Sequence, residues 1–460
     1  MWEFIDQPFF QQQDLYLVPA CLLLLFMISY SIRKKYDGSP LRRYFLPALF
    51  LRFFFAVLYS LVVYYYYGFG DTSVYYRSIG DLRNAVATDS SLLLDIYFTL
   101  NLDAESPLYT FFMFDNGIGT HAYMLNLSNY TVPRFALPFS FLFNNSYLCI
   151  SFCMGFFSFG GCWRVFRMFT EMYPHLHKKM AVAVLFLPSV LFWGGSLMKD
   201  SISIGCLGYM LYALYNLTIV RRKIVSSAVI VILSGALLYF VKPYILLCAF
   251  PTFLVWAFLR NQFLIKNDSV RMASAVFVGG LALAAGIFTV QFLTKSEAAS
   301  QYSSDKILQT VQSLQGSFSA DEGGSSFTVQ QIDNSVLQFI LLFPMGVVST
   351  LFRPFLWEVR NPLMVLSALE ALAFLYLTIV AFRGAGIAGF MKIVFKDPVL
   401  IFCLTFSILF AAIIGSTTTN FGALVRYKIP CIPFYLIMVF VVMDRTGKFS
   451  PDVVLHRKLF

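Results

Sequence analysis

Runs of about 20 apolar residues recur along the whole chain, and they constrain the fold more than any other feature. A helix of that length crosses the hydrocarbon core of a bilayer, and only helices or closed barrels satisfy their backbone there. The pattern predicts an all-α integral membrane protein with about eleven transmembrane helices in one polytopic domain, residues 1–460. The runs lie at residues 14–32, 44–67, 136–166, 180–198, 201–219, 224–241, 244–259, 272–294, 362–382, 398–415 and 429–443.

Composition excludes a water-soluble globule. The chain is 58% hydrophobic and only 13% charged, whereas soluble domains carry about 25% charged residues. The acidic, aromatic N-terminal segment lacks the basic region of a cleavable signal peptide, so none is expected. The eight cysteines form no CxxC motif and the four histidines are scattered, so neither a metal site nor a disulfide framework is expected.

The basic residues predict the orientation, because cytoplasmic loops of membrane proteins carry an excess of Lys and Arg. With the N-terminus outside and the C-terminus in the cytoplasm, 22 of the 34 basic residues lie inside and 17 of the 24 acidic residues lie outside. The net charge of +10 therefore belongs to the cytoplasmic face. It does not indicate a nucleic-acid partner.

This orientation predicts two large extracytoplasmic loops, residues 68–135 and 295–361. The apolar stretch 336–352 is broken by FPMG, and we expect it to dip into the membrane and return. If it crossed instead, the basic residues at 383–396 would move outside, against the bias. The amphipathic segments of the first loop fit either a membrane-surface location or a small cap on the helices. The second loop is polar over 295–335.

Charged residues collect at the predicted outer boundary. Asp71 follows a tyrosine run and two glycines that free the backbone, and Asp200 stands beside Lys199 between two apolar runs. A carboxylate can act as a general base for a hydroxyl nucleophile, while Arg and Lys suit phosphate oxygens. The candidate catalytic residues are thus Asp71 and Asp200, and the candidate substrate-binding residues are Arg77, Lys199, Lys242, Arg353, Glu358, Arg360 and Arg426.

Each of these residues also has a structural interpretation. Asp200 could cap a helix, Lys242 could be solvated in a turn, and Arg353 could contact lipid headgroups. Two further charges, Arg52 and Glu370, fall within predicted spans. We expect both to find protein partners, and Arg52 is close enough to the inner face to reach it.

Four segments carry a resemblance to a known family. They are GDTSVYYRSIGDL, PSVLFWGGSLMKDSI, RPFLWEVRNPL and VRYKIPCIPF, about fifty residues in all. With the span pattern, they make the chain resemble the bacterial GT-C-type, polyprenyl-phosphate-dependent glycosyltransferases of polysaccharide and glycoconjugate assembly. In this chain the candidate acid follows the second span rather than the first, and no second carboxylate stands beside it.

The resemblance implies glycosyl transfer at the periplasmic face of a bacterial inner membrane. The expected partners are a polyprenyl-(di)phosphate sugar donor, a glycan or protein acceptor, and membrane lipid. Asp71 would serve as the base or as the group that orients the acceptor, and the basic boundary residues would hold the lipid phosphate. A divalent cation could assist the leaving phosphate, although no residue pattern demands one.

Three other functions remain open from the sequence. The same donor could feed an oligosaccharide polymerase or an oligosaccharyltransferase. A lipid-linked glycan flippase or another transporter would place polar residues near the bilayer midplane and on repeated halves, and the sequence has few mid-span charges and no evident repeat. A structural membrane subunit would need no boundary charge for activity.

Overall fold

In a computed structural model, the regular elements are helices throughout the part of the chain that it describes. That part is residues 8–262 and 343–447 without 101, 103–105, 113–122 and 419, and with the single residues 269 and 280. Among these residues, eight helices are long and apolar enough to cross a membrane, or nine if one bent pair counts as a span. The described part of the protein is therefore all-helical, and its apolar helices indicate a multi-pass membrane protein. The predicted span 272–294, the polar loop 295–335 and residues 336–342 lie outside the described helices.

The chain divides into two units, unit 1 (1–177, 184–214 and 224–243) and unit 2 (178–183, 215–223 and 244–460). The helices of unit 1 are α1 (Asp14–Lys34), α2 (Arg42–Leu61), α3 (Asp71–Thr88), α4 (Leu92–Phe98), α5 (Leu127–Leu142), α6 (Tyr147–Met172), α7 (His177–Leu185, partly in unit 2), α8 (Pro188–Trp193), α9 (Lys199–Tyr215, whose last residue passes into unit 2) and α10 (Ile224–Val241). Those of unit 2 are α11 (Pro243–Asn261), α12 (Phe343–Phe352), α13 (Pro362–Phe395), α14 (Pro398–Thr417), α15 (Phe421–Tyr427) and α16 (Ile432–Arg445). Turns of π-helix, Val62–Tyr67 and Asn216–Val220, extend α2 and α9.

The prediction of one span over 136–166 is wrong, because α5 and α6 are separate helices. Asn144 and Asn145 adopt positive φ angles of 43° and 55°, which asparagine tolerates better than most residues. Ser146 then caps α6 by accepting a hydrogen bond from the Cys149 amide. The NNS tripeptide is therefore a helix stop followed by a helix start.

The predicted span 180–198 is likewise not one continuous helix. Leu187 is extended because the following residue is Pro188, which disfavours helical backbone in the residue before it. After α8, residues 194–198 leave the helix again, and α9 begins at Lys199. This segment nevertheless returns the chain along unit 1.

The return follows from the packing of α6 on α9, which run in the same direction. Gly161 of α6 is so close to α9 that a Cβ there would lie 2.3 Å from the Gly205 carbonyl oxygen. Farther along both helices, the guanidinium of Arg164 lies 4.2 Å from the Tyr209 ring. Two parallel helices joined in sequence require the chain between them to travel back, so residues 173–198 bring Lys199 towards the start of α6.

Arg52 is buried and bonded within unit 1. Its side chain is fully buried in α2, where it donates to the Val190 carbonyl (2.7 Å) and to the Cys162 sulfur (3.4 Å). The expectation that it finds protein partners is confirmed. Arg52 ties α2 to α6 and to the broken segment that leads into α9.

The first large loop contributes α3, which packs into unit 1. The α3 residue Arg83 donates to the Ser140 carbonyl of α5, and Tyr76 donates to the Asn145 carbonyl at 2.7 Å. The next helix, α4, buries Leu92 and Ile96 but exposes Leu94 and Phe98. The loop thus combines a buried helix with a short one that presents apolar side chains.

Unit 2 is built on a close pair of helices, α12 and α14. A Cβ at Gly415 would lie 2.0 Å from the Gly346 carbonyl oxygen, so the FPMG break supplies a glycine that the packing requires. The long helix α13 is interrupted at Gly386, which has a φ of 67°. The last predicted span, 429–443, corresponds to α16, which follows α15 at a bend of 67°.

Candidate functional site

A buried ion pair lies at the beginning of α9. Lys242, just after α10, places its Nζ 2.5 Å from Oδ1 of Asp200, in the first turn of α9. The two side chains are only 5% and 1% exposed. Asp200 is therefore paired and shielded rather than open to a substrate.

Lys199 continues this group towards α5. Its Nζ donates to the Ser128 hydroxyl at 2.7 Å, and its side chain is half-buried. Ser128 is held in the first turn of α5 because Asn126 caps that helix and accepts from both the amide and the hydroxyl of Ser128. We call Lys199, Asp200, Lys242 and Ser128 the Lys199 cluster.

The helix that begins at Asp71, α3, contacts the same turn of α5. The widened last turn of the span ends at Gly68, which has a φ of 72°, and α3 begins at Asp71. One turn later, the Tyr75 hydroxyl lies 3.4 Å from Oδ1 of Asn129, the neighbour of Ser128. The side chain of Asp71 is half-buried. The first turn of α5 thus contacts both Lys199 and the helix that begins with Asp71.

Arg77 lies farther along α3 and is half-buried. Asp81 follows it at the i+4 position, on the same face of the helix, and is buried. The sequence interpretation did not single out Asp81, although it stands in the quoted GDTSVYYRSIGDL segment. The four-residue spacing of opposite charges was the available signal.

In unit 2, Arg353 and Glu358 form a two-pronged ion pair. Nε of Arg353 lies 3.0 and 3.1 Å from the two carboxylate oxygens, and its Nη2 also donates to Oε1. The Phe355 amide donates to Oε2 at 2.8 Å, and the guanidinium lies 5.0 Å from the Phe421 ring. We call Arg353, Glu358 and the Phe355 amide the Arg353 clasp.

The clasp lowers the pKa of Glu358. Burial by itself would raise that pKa, but the hydrogen bonds from Arg353 and from the Phe355 amide, with the arginine's charge, outweigh it and bring the pKa below its usual range. Glu358 therefore stays ionised and bound to Arg353 near neutral pH. As a bound anion, it orients the arginine rather than a substrate.

Lys428 supports the clasp and was not among the candidates. It is buried after α15, and its Nζ donates to the Arg353 carbonyl at 3.1 Å. Glu370, a predicted intramembrane charge, is close enough to interact electrostatically with Lys428. This confirms that Glu370 has a protein partner. The hydropathy pattern places Lys428 at a helix junction but says nothing of its burial.

The remaining candidates lie at the surface of unit 2. Arg360 is exposed, and Arg426 is half-buried with its guanidinium 5.8 Å from the Tyr427 ring. The candidates therefore form two groups: Asp71, Arg77, Lys199, Asp200 and Lys242 in unit 1, and Arg353, Glu358, Arg360 and Arg426 in unit 2. That all of them line one substrate site stays a prediction.

Within the described part of the chain, no group of three or more His, Cys, Asp or Glu side chains is arranged to hold a metal ion. The divalent cation considered from the sequence stays a prediction.

Comparison with known proteins returns no similarity. No protein-family model, no curated protein and no solved structure matches the chain.

Proposed function

We propose that this protein is a membrane glycosyltransferase that moves a sugar or glycan from a polyprenyl-(di)phosphate donor to a hydroxyl acceptor. The reaction takes place at the end of unit 1 where α3, α5 and α9 begin. In the orientation predicted from the basic residues, that end faces the periplasm of a bacterial inner membrane.

One observation carries the proposal. Lys199 donates to Ser128 in the first turn of α5, and Asp71 begins the helix whose Tyr75 hydroxyl lies 3.4 Å from Asn129 of that turn; Asp71 and Lys199 are each half-buried. A base and a cation are the two groups that the transfer requires, one for the acceptor hydroxyl and one for the leaving phosphate. Both side chains remain partly accessible.

The surroundings suggest how the roles divide. Asp200 is already paired with Lys242, so we assign this ion pair to positioning the start of α9, and with it Lys199. Asp71 is then the candidate base, Lys199 the candidate phosphate ligand, and Arg77 a second basic group on the helix of the base.

The proposed step balances as follows. The acceptor oxygen attacks the anomeric carbon while its proton passes to the Asp71 carboxylate. The bond from the anomeric carbon to the phosphate oxygen breaks, and that oxygen takes the bonding electron pair. Lys199 stabilises the negative charge that develops on the phosphate.

The test is glycan assembly in cells that carry Asp71→Asn or Lys199→Ala. Asp89→Asn is the matched carboxylate control, because Asp89 is exposed in the connection after α3. Lys392→Ala is the matched lysine control, because Lys392 is exposed on α13. We expect the amount of a surface glycan or of protein glycosylation to fall at least about a hundredfold in both site variants, at unchanged membrane abundance. This is the range for loss of a general base, as in Asp71→Asn, and for loss of one group that stabilises developing charge, as in Lys199→Ala.

Two results would count against the proposal. Normal glycans in both site variants would rule out the proposed enzymatic function. An equal loss of glycan in the Asp89 control would show that the effect is nonspecific. A lipid-linked glycan that accumulates on the wrong side of the membrane would instead identify a flippase. The length of the glycan on a trapped donor separates single-sugar transfer from polymerase or oligosaccharyltransferase activity.

A further inference from the structure

The opposite end of unit 1 carries a dense group of basic side chains that the proposed reaction does not use. The connection from α1 to α2 is a fixed turn, closed by hydrogen bonds from the Tyr36 amide to the Arg33 carbonyl (3.0 Å) and from the Asp37 amide to the Lys34 carbonyl (3.1 Å). Gly38 completes it with a φ of 80°. The last turn of α1 and the first turn of α2 therefore hold their basic residues close together, with little freedom to separate.

The end of α6 joins this turn. The Arg167 guanidinium lies 5.4 Å from the Tyr36 ring. Arg43 Nη2 lies 3.2 Å from the ring nitrogens of His177, and the Tyr44 hydroxyl lies 2.8 Å from Nδ1 of the same ring. The basic cluster formed in this way consists of Arg33, Lys34, Lys35, Arg42, Arg43, Arg167 and His177.

Positive charge in the basic cluster exceeds negative charge. Among the described residues at this end of unit 1, the acids are Asp37, 3.0 Å from Arg42, and Glu171, 3.6 Å from Arg167. Both ion pairs are substantially exposed, so the two carboxylates compensate the positive charge of their arginines only weakly. Five Arg and Lys side chains of the turn thus face one carboxylate.

The arrangement is unfavourable without an anion. Arg42 and Arg43 occupy the first turn of α2, which contains no acidic residue, although the helix dipole disfavours cations there. Both side chains are exposed, so a bound anion could reach them and offset this unfavourable placement.

We propose that the basic cluster binds the phosphate headgroup of an anionic membrane lipid. Arginines donate to phosphate oxygens in pairs, and each basic residue near a membrane surface adds to the attraction for anionic lipid. The helices that lead into the cluster supply the acyl-chain surface, because Ile28 and Tyr30 of α1 and Phe50 of α2 are exposed apolar side chains. This apolar surface favours a lipid over free phosphate.

The test uses the full-length protein, purified in neutral detergent and titrated with phosphatidylglycerol or phosphatidylcholine while bound lipid is counted by native mass spectrometry. The variant is Arg42→Ala/Arg43→Ala. The control is Lys392→Ala/Lys396→Ala, which removes two exposed charges from α13 and its end. We expect phosphatidylglycerol to bind preferentially, and about tenfold more weakly to the variant than to the wild type or the control.

Equal weakening in the control, or equal binding of phosphatidylcholine, would overturn the proposal. Complete displacement of phosphatidylglycerol by millimolar inorganic phosphate would show a free-phosphate site instead, and would also overturn it. If the double arginine variant does not fold, Lys34→Ala/Lys35→Ala tests the same site through two exposed lysines. Neither outcome depends on the glycosyltransferase activity, because no residue of the basic cluster belongs to the proposed reaction site.

Discussion

Two carboxylate–cation pairs, one in each unit, use the same charges in different surroundings. Asp200 and Lys242 are 42 residues apart in sequence and almost wholly buried. Arg353 and Glu358 are five residues apart, 16% and 17% exposed, and joined by several hydrogen bonds. In the first pair, each charge is compensated almost entirely by the other. In the second pair, both charged groups can still reach water.

The difference shows what a buried charge does for a fold. Each member of the unit 1 pair is tolerated only because the other is present, so the pair fixes the position of α10 relative to α9. In the Arg353 clasp, the short sequence separation and the Phe355 amide make the local turn itself the source of the geometry. The first pair is therefore a tertiary contact, and the second is a local motif.

Breaking the buried pair should have the largest effect on stability. Asp200→Asn leaves the Lys242 charge buried without a counterion, which should cost about 3–5 kcal/mol of unfolding free energy. Unfolding of the purified protein in detergent measures it. Asp37→Asn, in an exposed pair with Arg42, is the control and should cost less than about 1 kcal/mol.

The double variant Asp200→Asn/Lys242→Met sharpens the comparison. It removes both charges, so it should regain most of the lost stability. A double variant as unstable as Asp200→Asn would contradict the account of a mutually compensated pair. If the double variant is stable and also active in glycan assembly, Asp200 has no catalytic role.

Glu358→Gln should have an intermediate effect. It removes the charge-assisted hydrogen bonds of the Arg353 clasp, worth about 1.5–3 kcal/mol, while the partly exposed Arg353 regains some hydration. The same unfolding measurement applies, with Glu171→Gln as the control, because its pair with Arg167 is longer and more exposed. A loss as large as that of Asp200→Asn would remove the distinction between the two pairs.

Acid should produce the smallest effect, and it should depend on Glu358. Because the pKa of Glu358 is lowered in the folded protein, its contribution is fully present above the ordinary value of 4.5 and is lost as the pH falls through the folded value. Wild type and Glu358→Gln should therefore converge in stability as the pH is lowered below about 4.5. Parallel pH curves for the two proteins would contradict the lowered pKa.

The membrane class and most of the described spanning helices could be read from the sequence, since a bilayer selects for length and apolarity alone. The predicted run 398–415 corresponds to α14, which starts where the Asp397 side chain caps it. Two predicted spans failed because hydropathy hardly registers short polar or proline breaks. Asn144 and Asn145 end one helix, and Pro188 with the following GGS ends another.

The candidate site was predictable in part. Charge next to an apolar run indicated Asp71, Lys199, Asp200 and Lys242, since such charges are costly unless they face water or a partner. Which charge pairs with which could not be predicted. Ser128 lies 71 residues before Lys199, and the buried Lys428 was missed because its bond is to a backbone carbonyl, which every residue has.

By itself, the sequence determined that the chain resides in a membrane as a bundle of helices and that its polar groups lie at a few junctions, because these properties follow from local composition. Only the tertiary structure decided that Asp200 is shielded by Lys242 while Asp71 and Lys199 remain half-accessible. The physical reason is that burial and pairing depend on distances between helices. The parallel packing of α6 and α9, which the glycines at 161 and 205 permit, sets those distances.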